Sequence, residues 1–276
     1  MKNILLPTDF SENSLNAIEY AMEFFKHWEC DFYILNIQKA AGYISADLVS
    51  GAKGDSIYDS IAGDNKKLIN ELKEDLTQKN KSKSYHFHGL FDYDDFISAV
   101  EQVVKIHAID LIVMGTNGAT GAKEAIFGSN TVQVIRNIDC PTLTIPEQYR
   151  LTSVKKALFS FKKHEDLSSK QIGVFREILN KYQCELNVME INDDSTTVEE
   201  QDNINVIKSL FPQYKYTYHA LKAVPSLIAV NTATQLLKID IHAVSLENKT
   251  FLERLISGSE TSQLSYDSLV PLLFLH

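Results

Sequence analysis

The feature that most constrains the fold is a repeat within the chain. Ala157-Leu158-Phe159 echoes Ile4-Leu5-Leu6, and Cys184-Glu185-Leu186-Asn187-Val188 echoes Cys30-Asp31-Phe32-Tyr33-Ile34. Tyr218-His219-Ala220-Leu221 echoes Phe87-His88-Gly89-Leu90. Gly258-Ser259 and Pro271 then stand in for Gly128-Ser129 and Pro141 at one shared offset of 130 residues. The cysteine pair is offset by 154, so the second copy is shorter by 24 residues in its middle, where the first copy has its long loop. A period this long is a duplicated domain, since solenoid repeats run at about 20–50 residues. The order and the common offset divide the chain into a domain at 1–147 and a second at 152–276, with a linker over Glu147–Ser153.

Within the first copy, strands alternate with helices. Lys2–Leu6 is a short apolar run that ends at Pro7 and fits a buried strand. Thr8-Asp9-Phe10-Ser11 carries turn and cap residues, and Leu15, Ile18, Ala21, Met22 and Phe25 follow at helical spacing. Phe32–Ile37, Ser84–Leu90, Leu111–Met114 and Thr142–Ile145 read as further strands. A charged amphipathic helix around Lys66–Leu76 and another over Asp94–His107 separate them. Strands joined through helices imply a parallel sheet covered on both faces. The terminal strands Thr142–Ile145 and Leu272–Leu275 are the natural edges for the two copies to pair.

Composition narrows the partners. At 276 residues the length suits one large domain or two of ordinary size, and a chain that is 44% hydrophobic can bury a core. A net charge of −9 argues against a general nucleic-acid binder, which needs clustered Lys and Arg, but leaves a nucleotide held by backbone N–H groups open. Cys30, Cys140 and Cys184 are too few and too scattered for a disulfide framework or a cysteine zinc site. No signal-peptide pattern opens the chain, and no run approaches the roughly 18 apolar residues of a membrane span. The expectation is a cytoplasmic, reduced protein with neither nucleic acid nor membrane as partner.

The segment that points to chemistry is Met114-Gly115-Thr116-Asn117-Gly118, nine further residues, then Gly128-Ser129-Asn130-Thr131. It starts where a buried strand ends and finishes where a helix begins, which is where ligands bind in open α/β folds. Glycine permits close backbone approach, and a helix start presents unpaired N–H groups and the positive end of its dipole. Ser129 and Thr131 add hydroxyls. The alternative is a tight turn at Gly115 and Gly118 followed by a Ser129 cap. Asp9 likewise divides between a ligand contact at the first strand's end and a cap for the helix beginning near Ser11.

Gly115-x2-Gly118-x9-Gly128-Ser129, the opening Ile4-Leu5-Leu6-Pro7-Thr8-Asp9 and the closing Cys140-Pro141-Thr142-Leu143 resemble the universal stress protein family. The resemblance covers essentially 1–146, and over 151–276 it rests on the internal repeat. It implies an α/β fold of two tandem doubly wound domains of the adenine nucleotide α hydrolase-like kind. Each is a five-stranded, mainly parallel sheet with helices on both faces. It also implies ATP, with Mg²⁺ as a companion ion, across the carboxyl ends of the strands. Carried over by position, Asp9 and Ile37 lie near the adenine, Pro7 and Thr8 shape that wall, and Met114 and Gly115 lie beneath the ribose. Gly118, Gly128, Ser129, Asn130 and Thr131 hold the phosphates. Thr116-Asn117 departs from the many members that place a His or basic residue before the second glycine, leaving Lys123 as the nearest cation.

In the second copy Ser245 and Asn248 replace the two glycines and Lys162 takes the position of Asp9, so that site is expected to be empty or weak. No P-loop, G-x-G-x-x-G or G-x-S-x-G is present. His86 and His88 lack a third metal ligand nearby, and Asp92, Asp94 and Asp95 lack calcium-loop spacing. Phe24, Phe25 and Trp28 read as core or inter-domain packing. Without an evident base or arginine finger, efficient catalysis is not expected. The function expected is a stress-response protein whose first domain binds ATP or a related adenine nucleotide and acts as a nucleotide-sensitive regulator. The alternatives are a ligand-free scaffold whose domains pair internally, as subunits of a homodimer do, and a slow ATPase.

Overall fold

The computed structural model describes residues 1–38, 57–93, 95–116, 127–147, 149–151, 153–162, 172–192, 200–245 and 270–276. The first half runs β1 (Lys2–Pro7), α1 (Glu12–Phe24), β2 (Cys30–Ile37), α2 (Ile57–Lys79), β3 (Tyr85–Asp92), α3 (Phe96–Ile106), β4 (Leu111–Gly115), α4 (Ser129–Asn137) and β5 (Thr142–Ile145). The second runs β6 (Lys156–Lys162), α5 (Gly173–Tyr182), β7 (Glu185–Asn192), α6 (Glu200–Leu210), β8 (Tyr216–Lys222), α7 (Ser226–Leu237), β9 (Ile241–Ser245) and β10 (Leu272–Leu275). Ten strands form one sheet in the order β3-β2-β1-β4-β5-β10-β9-β6-β7-β8. The order therefore repeats, mirrored about the middle.

Every pairing within a half is parallel, and the two halves meet in an antiparallel seam. Thr144 lies opposite Leu272, Leu143 opposite Leu273 and Thr142 opposite Phe274. These are the two strands that the sequence offers as pairing edges. Side chains alternate across the sheet with the period of two that strands impose. Ile4, Leu6, Phe32 and Ile34 point into a cluster with Ile18 of α1 and Leu76 of α2. Leu5 and Leu35 point into another with Val100 of α3 and Val134 of α4. Helices thus cover both faces, as the doubly wound expectation requires.

The first of these clusters continues without a break into the second half, taking in Phe159, Phe175 of α5 and Ile207 of α6. Helices α1 and α5 are bound across the seam. Tyr182 donates its hydroxyl to the Phe24 carbonyl, their rings lie 5.1 Å apart, and Lys2 forms an ion pair with Glu177 at 2.9 Å. Phe24 is therefore both core and inter-domain contact, and the Lys181 ammonium lies 5.6 Å from the centre of the Trp28 ring.

Two details differ from the sequence expectation. Tyr33 pairs with His88, whereas at the corresponding rung Asn187 pairs with Thr217, so the counterpart of His88 is Thr217 and not His219. A slip of two residues keeps every side chain on its own face, so the hydrophobic pattern alone is blind to it. The shortening of the second copy also falls in the helix and not only in the loop, since α6 has 11 residues where α2 has 23.

In the second half a polar side chain takes a buried place that is apolar in the first. His242, the counterpart of Ile112, is 0% exposed, and its Nε2 is 2.6 Å from the Ser160 hydroxyl while Nδ1 has no partner. Burial lowers its pKa from 6.5 to about 3, so the imidazole is neutral in the folded protein. An unfolded chain takes up this proton below about pH 6.5 and the folded one does not. The stability that neutral His242 contributes is present in full above that pH and falls away as the pH drops toward 3, by up to about 1.4 kcal/mol per unit. His242→Ile is expected to give a shallower loss of unfolding midpoint between pH 6.5 and 4.5. Parallel midpoint-against-pH curves for the two proteins would show that His242 is not a source of the slope.

Candidate functional site

From β1 the chain crosses to β2 on one side, and from β4 it crosses to β5 on the other. The carboxyl ends of β1 and β4 therefore flank the point where the strand order reverses, the place where open α/β sheets bind ligands. A cleft of about 180 Å³ opens there, well above the ~15 Å³ one water needs, so it admits an organic group. Its walls are Pro7 at the end of β1 with Thr8 and Asp9 just after it, Leu35 and Ile37 from β2, Met114 and Gly115 from β4, and Gly128, Ser129, Asn130 and Thr131 at the start of α4. Ser14 and Phe96 complete it. Of the residues picked out by sequence, all but Gly118 line this one cleft, and Gly118 lies outside the described residues, as do Asn117 and Lys123.

The β1–α1 turn is held by a chain of hydrogen bonds whose direction is determined. Phe10 N–H donates to Thr8 Oγ1 at 3.0 Å, and Ser14 Oγ donates to the Ser11 carbonyl at 3.0 Å. With that proton committed, the 2.9 Å contact between Thr8 Oγ1 and Ser14 Oγ has Thr8 as donor. Thr8 thus shapes the wall, and its hydroxyl proton is in use. Asn36 Nδ2 donates to the Thr8 carbonyl at 2.7 Å and fixes the turn against β2. The network holds Phe10 at φ 60°, a left-handed conformation that costs a non-glycine residue on the order of 1 kcal/mol.

Asp9 is exposed at the rim, and its Oδ1 accepts from Ser11 N–H at 3.0 Å and Ser11 Oγ at 2.5 Å. Ser11 in turn caps α1 by accepting from Ser14 N–H. The cap of α1 is therefore Ser11 and not Asp9, which braces that cap from the rim of the cleft.

On the far side, the N-cap of α4 is Gly128, whose N–H donates to the Thr116 carbonyl at 2.6 Å and which has no side chain to cap the helix. The first intrahelical bond runs from Val132 N–H to the Gly128 carbonyl, so the amides of Ser129, Asn130 and Thr131 precede the ladder. They line the cleft with the positive end of the helix dipole behind them. The Thr131 hydroxyl donates to the Gly115 carbonyl at 3.0 Å, so it ties α4 to β4 and has no proton left for a ligand. Asp9 is the one charged side chain among the described lining residues. Among the described lining residues the groups suited to an anion are therefore backbone amides rather than Lys or Arg.

Gly115 is needed for a reason other than ligand access. A Cβ there would lie 2.9 Å from the Asn13 carbonyl oxygen and 3.2 Å from its carbon, in the first turn of α1. Its counterpart Ser245 ends β9 and is 2% exposed, while Asn248, Gly258 and Ser259 lie outside the described residues. Leu35, Ser14 and Phe96 escaped the sequence argument. Leu35 was within reach of it, since it shares a strand face with Ile37 two residues on. The cysteines play no part, as burial pushes all three thiols up to about 12 and keeps them protonated.

Comparison with known families matches residues 1–146 to the Universal stress protein family, more than half the chain. The chain belongs to the universal stress protein family. Two universal stress proteins of Methanocaldococcus jannaschii are similar to it, one 30% identical over 158 residues, covering 52% of this chain and 94% of the relative. The other is 26% identical over 149 residues, covering 52% and 81%. The crystal structure of a universal stress protein from Archaeoglobus fulgidus superposes with a TM-score of 0.70 at 16% identity, covering 99% of this chain and 95% of that one. That likeness extends the family's fold across both halves.

Gly115→Ala is expected to destabilise the protein by about 1–3 kcal/mol, because the atom in the way is helix backbone rather than a movable side chain. The measurement is the urea midpoint without added ligand. An unchanged midpoint would mean that α1 can retreat at no cost.

Proposed function

We propose that the first half binds an adenine nucleotide, with ATP foremost, in the crevice between β1 and β4. The phosphates lie on the amides at the start of α4 and the base lies toward Asp9 and Ile37. The observation that carries this is the convergence of the predicted residues on one cleft at the reversal of strand order, with an uncapped helix start as its wall. Among the described residues no group of three or more His, Cys, Asp or Glu is placed to hold a metal. Mg²⁺ therefore enters this proposal as a companion of the triphosphate.

Efficient turnover is not part of the proposal. Phosphoryl transfer calls for an aligned nucleophile and charge neutralisation, and the described walls offer Asp9 with no His, Lys or Arg. The role proposed is a nucleotide-sensitive regulator in a stress response, acting in the cytoplasm. No helix of the described residues is long and apolar enough to cross a membrane. A scaffold role is compatible with the same fold, since the seam already joins the two halves as a pair of subunits would be joined.

Titration calorimetry of the purified chain with ATP, ADP and AMP tests the nucleotide proposal. Binding at micromolar to sub-millimolar concentration is expected, with about a tenfold or greater loss for Asp9→Ala and Gly118→Val. No heat and no protection at millimolar ATP would overturn it. Mass spectrometry of small molecules retained by the natively purified protein would identify the nucleotide.

A further inference from the structure

Helix α4 belongs to the first half in sequence, yet it packs on both halves. Val134 and Ile138 sit in the first-half cluster beneath α3. Ile135, and Phe127 just ahead of the helix, sit in the second-half cluster with Leu158, Leu272 and Phe274. Phe127 is 3% exposed, and its ring meets that of Phe274 edge-on with centroids 5.9 Å apart. Phe274 is fully buried in β10, opposite Thr142 across the seam. The residue that follows Phe127 is Gly128, the cap of α4. The start of α4 is therefore fixed from two directions. Gly128 N–H and the Thr131 hydroxyl tie it to the end of β4, and Phe127 roots it in the other half.

We propose that Phe127 and Phe274 are positioning residues for the nucleotide site, through which the second half sets where the amides of Ser129, Asn130 and Thr131 lie. This rests on the nucleotide proposal above and adds that phosphate binding and the seam form one linked equilibrium. The chain of cause is short. Truncating Phe274 opens a cavity against Phe127 that the surroundings fill only in part. Any movement of Phe127 into that space is transmitted through a single peptide unit to Gly128. Hydrogen bonds from amides to phosphate oxygens hold over a few tenths of an ångström, so a small displacement weakens several together. Linkage makes the effect reciprocal, so a bound triphosphate strengthens the contact between the halves.

The second half then has a use that does not depend on its own ligand site. Its strand β10 is the surface on which the first half's anion cradle rests. A merely structural role for Phe274 would lower stability without distinguishing one ligand from another. A positioning role distinguishes ligands that carry phosphates from those that do not.

The test titrates the full chain, and its Phe274→Leu, Phe274→Ala and Phe211→Ala variants, with ATP and with adenosine, which has no phosphate. Phe211 is also fully buried in the second half, but in the cluster on the opposite face of the sheet. ATP affinity is expected to fall in the order unmodified, Leu, Ala, reaching about tenfold or more for Ala, while adenosine affinity stays level. Phe211→Ala is expected to leave ATP affinity unchanged. ATP is expected to slow hydrogen exchange at the β10 amides of the unmodified chain. If the Ala variant does not fold, the Leu variant together with Phe127→Leu gives the same comparison. Equal ATP affinity in folded variants, or a parallel loss of ATP and adenosine, would overturn the positioning role. An unmodified chain that does not bind ATP would instead overturn the nucleotide proposal, and this one with it.

Discussion

Three rungs of antiparallel pairing between β5 and β10 make one molecule of two halves. Either strand, left as an edge, would present a row of unpaired backbone groups, and here each covers the other. The sheet that results has parallel halves of mirrored order, and its central strands are buried on both faces. Around the seam the helices do not divide cleanly. One hydrophobic cluster runs through both halves on the side of α1 and α5, while α4 bridges the two clusters on the other side. The cleft wall formed by the start of α4 therefore rests partly on the second half.

Under the nucleotide proposal, the cleft is how an acidic chain would hold an anion. Its described lining has an aspartate at the rim and no cation, and the groups there that suit an anion are the amides that precede the hydrogen-bond ladder of α4. Three of the lining hydroxyls are engaged in holding the backbone. Thr8 and Ser14 lock the turn after β1, and Thr131 grips the carbonyl of Gly115. Much of the polar chemistry of the walls is thus spent on rigidity, and what it leaves is the main chain at the start of α4 with the side chains of Ser129 and Asn130.

The strands were legible because buried parallel strands are short apolar runs, and the run from Thr142 to Ile145 has the same limits in both accounts. Helix ends were less so. The helix expected from Asp94 begins at Phe96 with Asp95 as its cap, and α2 extends well beyond its charged stripe at Lys66–Leu76. The cleft was legible in outline because glycine spacing and strand ends reveal where a backbone turns. The reasons for particular residues were not. Gly115 is a glycine because α1 presses on it, and Phe127 looks like one more apolar residue until the second half is placed beside it. Both depend on contacts between distant segments, which no local pattern carries. The two-residue slip at β8 was hidden for the opposite reason, that the local pattern is the same in either register.

Joining the halves in a single polypeptide has a consequence for how each side of the seam is free to vary. When two identical chains pair about a two-fold axis, every substitution appears twice, and a residue that suits one role must suit its symmetric image as well. Here Ile112 and His242, or Asp9 and Lys162, occupy matching places without being copies of each other. The tether also keeps the partner strand at a high local concentration however dilute the protein is. One side can therefore specialise in holding a ligand and the other in supporting it, with no compromise imposed by symmetry and no dependence on finding a mate.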